Sequence, residues 1–260
     1  MFIDQHGKSE DIPLVLIHGA GGTHRDWAPA SSMLPGVRVL VPDLPDHGQS
    51  QQSYIPLSPR PGQPPSVPEP VRNRFKGFAS QILDMLDDFG IERAFIGGYS
   101  MGGAVALGLA LDHPDRVRGL ILVNTGARLA VHPDLLDKLL RDRETAAKIL
   151  VDWMWSPNTE AAQRQANRES LLATSPLVLH ADFLACDQFD VRDRLHEITC
   201  PTLILGGSAD KMTPAKYAAF LHDKIGGSTL DVIPDASHKW IMEQPAQAAQ
   251  RIGAWIAQQG

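Results

Sequence analysis

The sequence predicts an α/β fold in which a doubly wound, mostly parallel sheet carries an inserted helical segment. Two observations support this prediction. Short apolar runs of strand length alternate with stretches of helical period, and one long interval, residues 128–196, holds helical patterns and no strand. Such alternation is typical of a parallel sheet covered by helices on both faces. The 260 residues, of which 43% are hydrophobic, suit one domain with a large core.

Six apolar runs have the length of strands. They are residues 14–17, 38–41, 94–96, 120–123, 202–205 and 229–233. Because their apolar residues are continuous rather than alternating, we expect strands that are buried on both faces of the sheet. In the segment before the third run, apolar residues recur at three- and four-residue steps, and Gly90 follows them. These residues are Phe78, Ile82, Leu86 and Phe89. This pattern predicts an amphipathic helix that stops at a glycine.

The long helical interval divides the chain into two predicted parts. Residues 1–127 and 197–260 would form the sheet and its helices, and residues 128–196 would form a helical cap, or lid, over the carboxyl edge of the sheet. Residues 51–73 contain seven prolines and no apolar period, which predicts a long loop with polyproline character beside the entrance to a site. Sites in such sheets lie outside the carboxyl ends of the strands.

The strongest functional motif is Gly-Tyr-Ser-Met-Gly at residues 98–102, which places Ser100 between a strand and a helix. This context is typical of a nucleophilic serine in a sharp turn, where the flanking glycines avoid steric clashes. The Met101 N–H would then lie at the N-terminus of the helix, directed at an anion. After the first parallel strand, His18-Gly19-Ala20 would supply the Ala20 N–H as the second donor of an oxyanion hole.

A serine hydroxyl needs a base to take its proton. The chain order expected around such a turn is serine, then an acid, then histidine. Asp210 follows the fifth apolar run and His238 follows the sixth, so both would reach the same sheet edge as the serine. Asp235, three residues before His238, is the rival acid and ranks second. Asn124 closes the fourth run, so no carboxylate occupies that alternative position.

Composition and charge exclude several classes of protein. The chain has 24 basic and 30 acidic residues, a net charge of −6, and no dense Lys/Arg cluster, so we expect no nucleic-acid partner. The longest apolar run, residues 101–111, is far shorter than the roughly 20 residues that span a bilayer. We therefore expect no membrane association. The first residues lack the pattern of a signal peptide, and Cys186 and Cys200 suggest reduced thiols in a cytoplasmic protein.

The expected ligand is a small-molecule substrate that binds without a cofactor. No cluster of His, Cys, Asp and Glu has the spacing of metal ligands, and the first strand–helix unit lacks a Gly-x-Gly-x-x-Gly motif, so the sequence implies no metal and no cofactor. Trp27, Trp153 and Trp155 are the candidate substrate-binding residues, although aromatic residues at helical spacing also serve as packing. The sequence leaves the oligomeric state open.

These motifs resemble the α/β-hydrolase superfamily, in its cap-bearing serine esterase and C–C hydrolase branch. The resemblance covers nearly the whole chain and includes the Asp-Leu-Pro-Asp-His-Gly-Gln-Ser stretch at residues 43–50. It implies an eight-stranded core and a catalytic triad of Ser100, Asp210 and His238. Two departures stand out. Asp46 occupies a position that is commonly glycine in the family, and the N-terminus has room for only one strand before the first parallel strand.

The resemblance implies a serine hydrolase that cleaves a small or medium carboxylic ester through an acyl-enzyme intermediate. Ser100 favours acyl transfer, since dehalogenase and epoxide-hydrolase relatives carry aspartate at this position. Several alternatives stay open on the same scaffold. They are a C–C bond hydrolase of a diketone-type ring-cleavage product, a perhydrolase or lyase, and a ligand receptor that retains the triad.

Overall fold

One sheet organises the computed structural model, which describes residues 1–50 and 73–259. Within these residues, seven strands lie in the order β1-β3-β2-β4-β5-β6-β7. β1 runs antiparallel to β3, and all other neighbours are parallel. The strands are β1 (Ile3–His6), β2 (Ile12–Ile17), β3 (Val37–Pro42), β4 (Ala94–Tyr99), β5 (Val117–Val123), β6 (Thr202–Gly207) and β7 (Thr229–Ile233).

Helices follow most of the strands. Several helices begin with a proline; examples are Pro133, Pro176 and Pro245. Proline suits this position because it lacks an N–H, and the first N–H groups of a helix have no partner within the helix. The described α-helices are α1 (Ala28–Ser31), α2 (Arg74–Asp88), α3 (Met101–Asp112), α4 (Pro133–Arg141), α5 (Arg143–Met154), α6 (Ala161–Ala173), α7 (Pro176–Gln188), α8 (Ala215–Lys224), α9 (Trp240–Glu243) and α10 (Pro245–Ala257). No helix in this part of the chain is long and apolar enough to cross a membrane.

The sheet separates two apolar cores. Val15 and Ile17 of β2 enter a core that contains residues of α2, α3 and α8. Leu14 and Leu16, on the same strand, enter a second core that contains residues of α1 and α10. Successive side chains of a strand point to opposite faces, so a run that is apolar throughout buries both faces. The predicted fold class, a doubly wound and mostly parallel sheet, is therefore confirmed.

The structure differs from the predictions in two details of the sheet. The described residues form seven strands where the resemblance implies eight, because only β1 precedes β2. β7 is not buried on both faces, since it lies at the edge of the sheet and Thr229 and Val232 are exposed. An edge strand has a neighbour on one side only, which leaves part of its surface to solvent. The predicted loop at residues 51–73 falls almost wholly outside the described residues.

The interval between β5 and β6 contains the helices α4 to α7 and a 3₁₀ helix, Arg192–Glu197. An isolated bridge pairs Arg128 with Asp190 near its two ends. These helices bury a third apolar core of their own, which includes Leu139, Leu150 and Phe183. The division into a core and a cap at residues 128 and 196 stays a prediction.

Candidate active site

The turn between β4 and α3 holds Ser100 in an unusual backbone conformation, with φ 54° and ψ −118°. The backbone around it explains why the motif needs its glycines. A Cβ atom at Gly98 would lie 2.1 Å from the Gly102 carbonyl oxygen, and one at Gly102 would lie 2.2 Å from the Ile17 carbonyl oxygen. The Thr125 hydroxyl donates a hydrogen bond of 2.8 Å to the Ser100 carbonyl. Such strain persists only where the surroundings enforce it.

Ser100, His238 and Asp210 form one hydrogen-bonded chain. The Nε2 atom of His238 lies 3.0 Å from the Ser100 Oγ, and its Nδ1 atom lies 2.7 Å from the Asp210 Oδ2. An ionised carboxylate only accepts hydrogen bonds, so the Asp210 contact assigns the proton to Nδ1. Nε2 is then free to accept the Ser100 hydroxyl proton. His238 and Asp210 are both buried, so the hydrogen bond between them is shielded from water.

Asp210 is held as a carboxylate by the loop that follows β6. Its Oδ1 accepts the N–H groups of Met212 (2.8 Å) and Thr213 (2.9 Å), and its Oδ2 accepts the Thr213 hydroxyl (2.7 Å). Burial alone would raise the pKa of Asp210, but His238 and the Thr213 hydrogen bonds outweigh burial and lower that pKa below its usual value. The rival acid Asp235 is exposed, has φ 55° and makes no hydrogen bond to His238.

Asn124, at the end of β5, fastens the loop that carries His238. Its side-chain N–H₂ donates to the carbonyl oxygens of Ser237 (2.9 Å) and His238 (3.1 Å). Its side-chain oxygen accepts the Gly207 N–H (3.1 Å) and the Trp240 indole N–H (3.0 Å). One buried amide therefore ties the ends of β5, β6 and β7 together. From the sequence alone, Asn124 is recognised only as a strand-end residue that is not a carboxylate. The available signal was an amide residue at a strand end on the functional edge of the sheet.

Ala20 and Met101 carry the two backbone donors predicted for an oxyanion hole. Ala20 follows β2, and Met101 is the first residue of α3. Within residues 1–50 and 73–259, neither backbone N–H donates a hydrogen bond. Ala20 and Ser100 line the same pocket. Both amides are therefore available to an oxygen atom bound beside Ser100.

His18, just before Ala20, is a neutral structural residue. Its Nδ1–H donates to the Gly19 carbonyl (2.8 Å), and its Nε2 accepts the Leu44 N–H (3.1 Å). Burial and the nearby His47 lower the pKa of His18 to about 4. The imidazole therefore shapes the turn after β2 without carrying charge near neutral pH.

The pocket at Ser100 is small and mainly apolar. It encloses about 50 Å³, well below the roughly 300–1,000 Å³ of a typical drug-sized ligand site. A larger cavity of about 420 Å³ shares Ala130 and Tyr217 with this pocket as lining residues. The pocket wall combines residues of the sheet-bearing part with residues between β5 and β6; the latter are Leu129, Ala130, Val131, Met154, Phe183 and Cys186.

The predicted substrate-binding tryptophans do not line this pocket. Trp27 is fully buried in a core and donates its indole N–H to the Ile17 carbonyl. Trp155 is buried and donates to Asn167, whereas Trp153 is 38% exposed. Met154 lies between the two in sequence and reaches the pocket instead, because successive residues at the end of α5 point in different directions. Met154, and none of the three tryptophans, therefore lines the Ser100 pocket.

No group of three or more His, Cys, Asp or Glu side chains in the described part of the chain is arranged to hold a metal ion. Cys186 and Cys200 are free thiols. Burial raises the pKa of both thiols, so each stays protonated and unreactive near neutral pH. Cys186 lines the Ser100 pocket, but its thiol offers no reactive thiolate there near neutral pH.

Comparison with known proteins agrees with the fold. Residues 14–251 match the alpha/beta hydrolase family. The 2-hydroxymuconate semialdehyde hydrolase of Pseudomonas sp. (strain CF600) is 28% identical over 97% of this chain and 89% of its own. The 3-oxoadipate enol-lactonase 1 of Acinetobacter baylyi is 28% identical over 95% of this chain and 90% of its own. A solved thermophilic esterase from Thermogutta terrifontis superposes with a TM-score of 0.82 at 27% identity, covering 99% and 93% of the two chains. The chain belongs to the alpha/beta hydrolase family, and hydrolysis is the class of activity that this membership supports.

Proposed function

We propose that the protein is a serine hydrolase that cleaves a small or medium carboxylic ester through an acyl-enzyme intermediate. The observation that carries this proposal is the Asp210–His238–Ser100 hydrogen-bonded chain, with Ser100 at a strained turn in a pocket. These are the parts that an activated serine nucleophile requires, namely a hydroxyl, a base within reach and a group that orients the base.

In the first half-reaction, Ser100 Oγ bonds to the carbonyl carbon while His238 Nε2 takes the hydroxyl proton. Asp210 orients the imidazole and stabilises the imidazolium that forms. The substrate oxygen gains the negative charge, and the Ala20 and Met101 N–H groups donate hydrogen bonds to it. The tetrahedral intermediate then breaks its bond to the leaving alcohol. His238 returns the proton to that alcohol oxygen, and the acyl group stays on Ser100.

In the second half-reaction, water replaces the alcohol. His238 Nε2 takes a proton from the water molecule as its oxygen bonds to the acyl carbon. The same two N–H groups hold the second oxyanion, and the bond to Ser100 Oγ breaks. The proton passes from His238 to Ser100 Oγ, the carboxylic acid leaves, and the enzyme regains its starting state.

The pocket wall supports the proposed substrate class. Residues 128–196 would act as a cap on a core formed by residues 1–127 and 197–260, because six of the twelve residues that line the pocket lie in this interval. The apolar side chains of the pocket wall favour an uncharged small-molecule substrate, and the small volume of the pocket favours a short acyl group. The free thiols Cys186 and Cys200 support a cytoplasmic location for the enzyme.

A second candidate is hydrolysis of a carbon–carbon bond in a ring-cleavage product. The relative named as a 2-hydroxymuconate semialdehyde hydrolase, at 28% identity over 97% of this chain, favours this candidate. The same three side chains would serve both reactions, so the substrate decides between them. The relative named as an enol-lactonase favours the ester proposal, since a lactone is a cyclic ester.

The test is a series of p-nitrophenyl esters from acetate to octanoate, assayed with the wild-type protein and with Ser100→Ala. We expect kcat/KM to fall as the acyl chain lengthens and Ser100→Ala to lose at least about 1,000-fold in kcat. Ser9→Ala, at an exposed position, is the matched control and should retain full turnover. Full ester turnover by Ser100→Ala would disprove the proposal. A wild-type protein that cleaves a diketone much faster than any ester would favour the second candidate.

A further inference from the structure

A buried aspartate in α7 holds three donors from the other part of the chain. Asp182 is fully buried. Its Oδ2 accepts the Gly21 N–H (3.0 Å) and lies 2.7 Å from His47 Nε2, and its Oδ1 accepts the Arg74 Nε–H (2.8 Å). Asp182 interrupts an apolar helical pattern in the sequence, which is the signal by which it could have been noticed. Nothing in the proposed mechanism uses it directly.

The contact with Gly21 reaches the turn that carries Ala20. Gly21 has φ +63°, and the Gly22 N–H closes the turn by donating to the Gly19 carbonyl (3.0 Å). A Cβ atom at Gly21 would lie 2.5 Å from a methyl carbon of Leu179, one helical turn from Asp182 on α7. One hydrogen bond and one apolar contact from the same helix therefore fix the turn immediately after the Ala20 amide.

The Asp182 carboxylate stays charged in this position. Burial would raise its pKa, but His47 and Arg74 together outweigh burial and hold that pKa well below its usual range. The Arg74 Nη1 atom also lies 3.4 Å from the Asp46 Oδ2 atom. A buried carboxylate accepts stronger hydrogen bonds than a neutral group, so the Gly21 N–H has a strong and permanent acceptor. The positively charged side chains of Arg74 and His47 keep the Asp182 carboxylate in place.

We propose that Asp182 is a positioning residue for the oxyanion hole, acting through Gly21 to fix the direction of the Ala20 N–H. This inference rests on the proposed function. Removing the acceptor would free the Gly21 peptide, and the Ala20 amide would lose its alignment with the developing oxyanion. Because that charge exists only in the transition state, the loss should fall on kcat and leave KM nearly unchanged.

The experiment compares two variants that differ in the Gly21 acceptor. Arg74→Met removes one cation but keeps the carboxylate that accepts the Gly21 N–H. The double variant Arg74→Met/Asp182→Leu removes the ion pair and the acceptor together. His47 then loses the carboxylate that raises its pKa, and burial leaves it neutral, so neither Arg74, Asp182 nor His47 remains as an unpaired buried charge and the protein should fold. We expect the double variant to lose about 10- to 100-fold in kcat relative to Arg74→Met, at similar KM and similar Tm.

A boronic acid supplies a readout that a purely structural role would not move. Phenylboronic acid forms a tetrahedral adduct on a serine oxygen and places an oxygen in the oxyanion hole. Its inhibition constant should rise in the double variant in proportion to the fall in kcat/KM. If kcat and the inhibition constant stay unchanged, Asp182 only fastens α7 to the sheet and the inference is wrong. A wild-type protein that neither cleaves esters nor binds the boronic acid would overturn the proposed function as well.

Discussion

At the scale of single residues, the site depends on how one carboxylate is surrounded. The sequence predicted Ser100, Asp210 and His238 from their places after strands, and the structure brings these three side chains within hydrogen-bond distance. The sequence could not predict the role of Thr213, whose hydroxyl and N–H both donate to Asp210. That contact depends on the conformation of a loop, which local sequence patterns do not specify. The catalytic roles of the three residues stay a prediction.

Replacing Asp210 by Asn tests the orientation of the imidazole. An amide can present its N–H₂ group to His238 Nδ1, which would favour the wrong tautomer and leave Nε2 protonated. We expect kcat to fall by about 1,000- to 10,000-fold, as in other enzymes with this arrangement. The measurement is steady-state hydrolysis of a p-nitrophenyl ester.

Asp235→Asn is the matched control for Asp210→Asn. Asp235 is exposed and has a positive φ, a conformation that asparagine adopts readily. We expect kcat to stay within about a factor of two of the wild-type value and Tm to stay within about 1 °C of it. A larger loss of activity in Asp235→Asn than in Asp210→Asn would identify Asp235 as the acid.

At the scale of elements, the strand ends determine where the functional side chains meet. Continuous apolar runs were enough to predict six strands. The reason holds for the five inner strands, because a strand buried on both faces needs apolar residues throughout, whereas β7 lies at the sheet edge. The sequence could not decide whether Trp153, Met154 or Trp155 meets the Ser100 pocket. Helical period predicts that α5 exists, but the neighbouring element decides which face of α5 meets the pocket. Only tertiary packing places Met154 there.

Asn124→Asp tests whether the ends of β5, β6 and β7 depend on one amide. The change replaces two N–H donors with a carboxylate oxygen that faces the Ser237 and His238 carbonyl oxygens. We expect the free energy of unfolding to fall by about 3–5 kcal/mol, because buried groups lose their partners and a charge is buried unpaired. Urea denaturation measures the effect.

Asn158→Asp makes the same chemical change on the surface, since Asn158 is exposed. We expect its free energy of unfolding to stay within about 0.5 kcal/mol of wild type. Equal losses in both variants would show that the change of charge, rather than the hydrogen bonds of Asn124, sets the stability.

At the scale of the whole molecule, pH should alter stability through His18. The pKa of His18 is about 4 in the folded protein, against 6.5 for an unperturbed histidine. The unfolded chain therefore binds the proton more tightly, and folding stability is lost as pH falls from about 6.5 to about 4. Between about pH 7 and pH 5, this one group should cost about 2 kcal/mol.

Comparison with His18→Gln isolates this effect. The pKa of His47 is raised because Asp182 outweighs the effect of burial, so His47 acts with the opposite sign, but it is present in both proteins. We expect the stability difference between wild type and His18→Gln to shrink by about 2 kcal/mol between pH 7 and pH 5. A difference that stays constant over this range would show that His18 does not titrate as its burial implies.

Length and alternation were enough to predict one mostly parallel sheet covered by helices, and the family match over residues 14–251 agrees with that fold class. The contacts that join the insertion to the sheet could not be predicted. Asp182 and Gly21 lie 161 positions apart, and no local pattern links residues at such a separation. The boundaries of the cap stay a prediction for the same reason.

Covalent labelling asks, without any choice of substrate, whether Ser100 is the nucleophile. The protein would be treated with a fluorophosphonate, digested and mapped by mass spectrometry, alongside Ser100→Ala and Asp210→Asn. We predict one adduct per chain, on Ser100, absent in Ser100→Ala and formed much more slowly in Asp210→Asn. An unlabelled Ser100 in the folded wild-type protein, or undiminished labelling of Ser100→Ala, would contradict the claim.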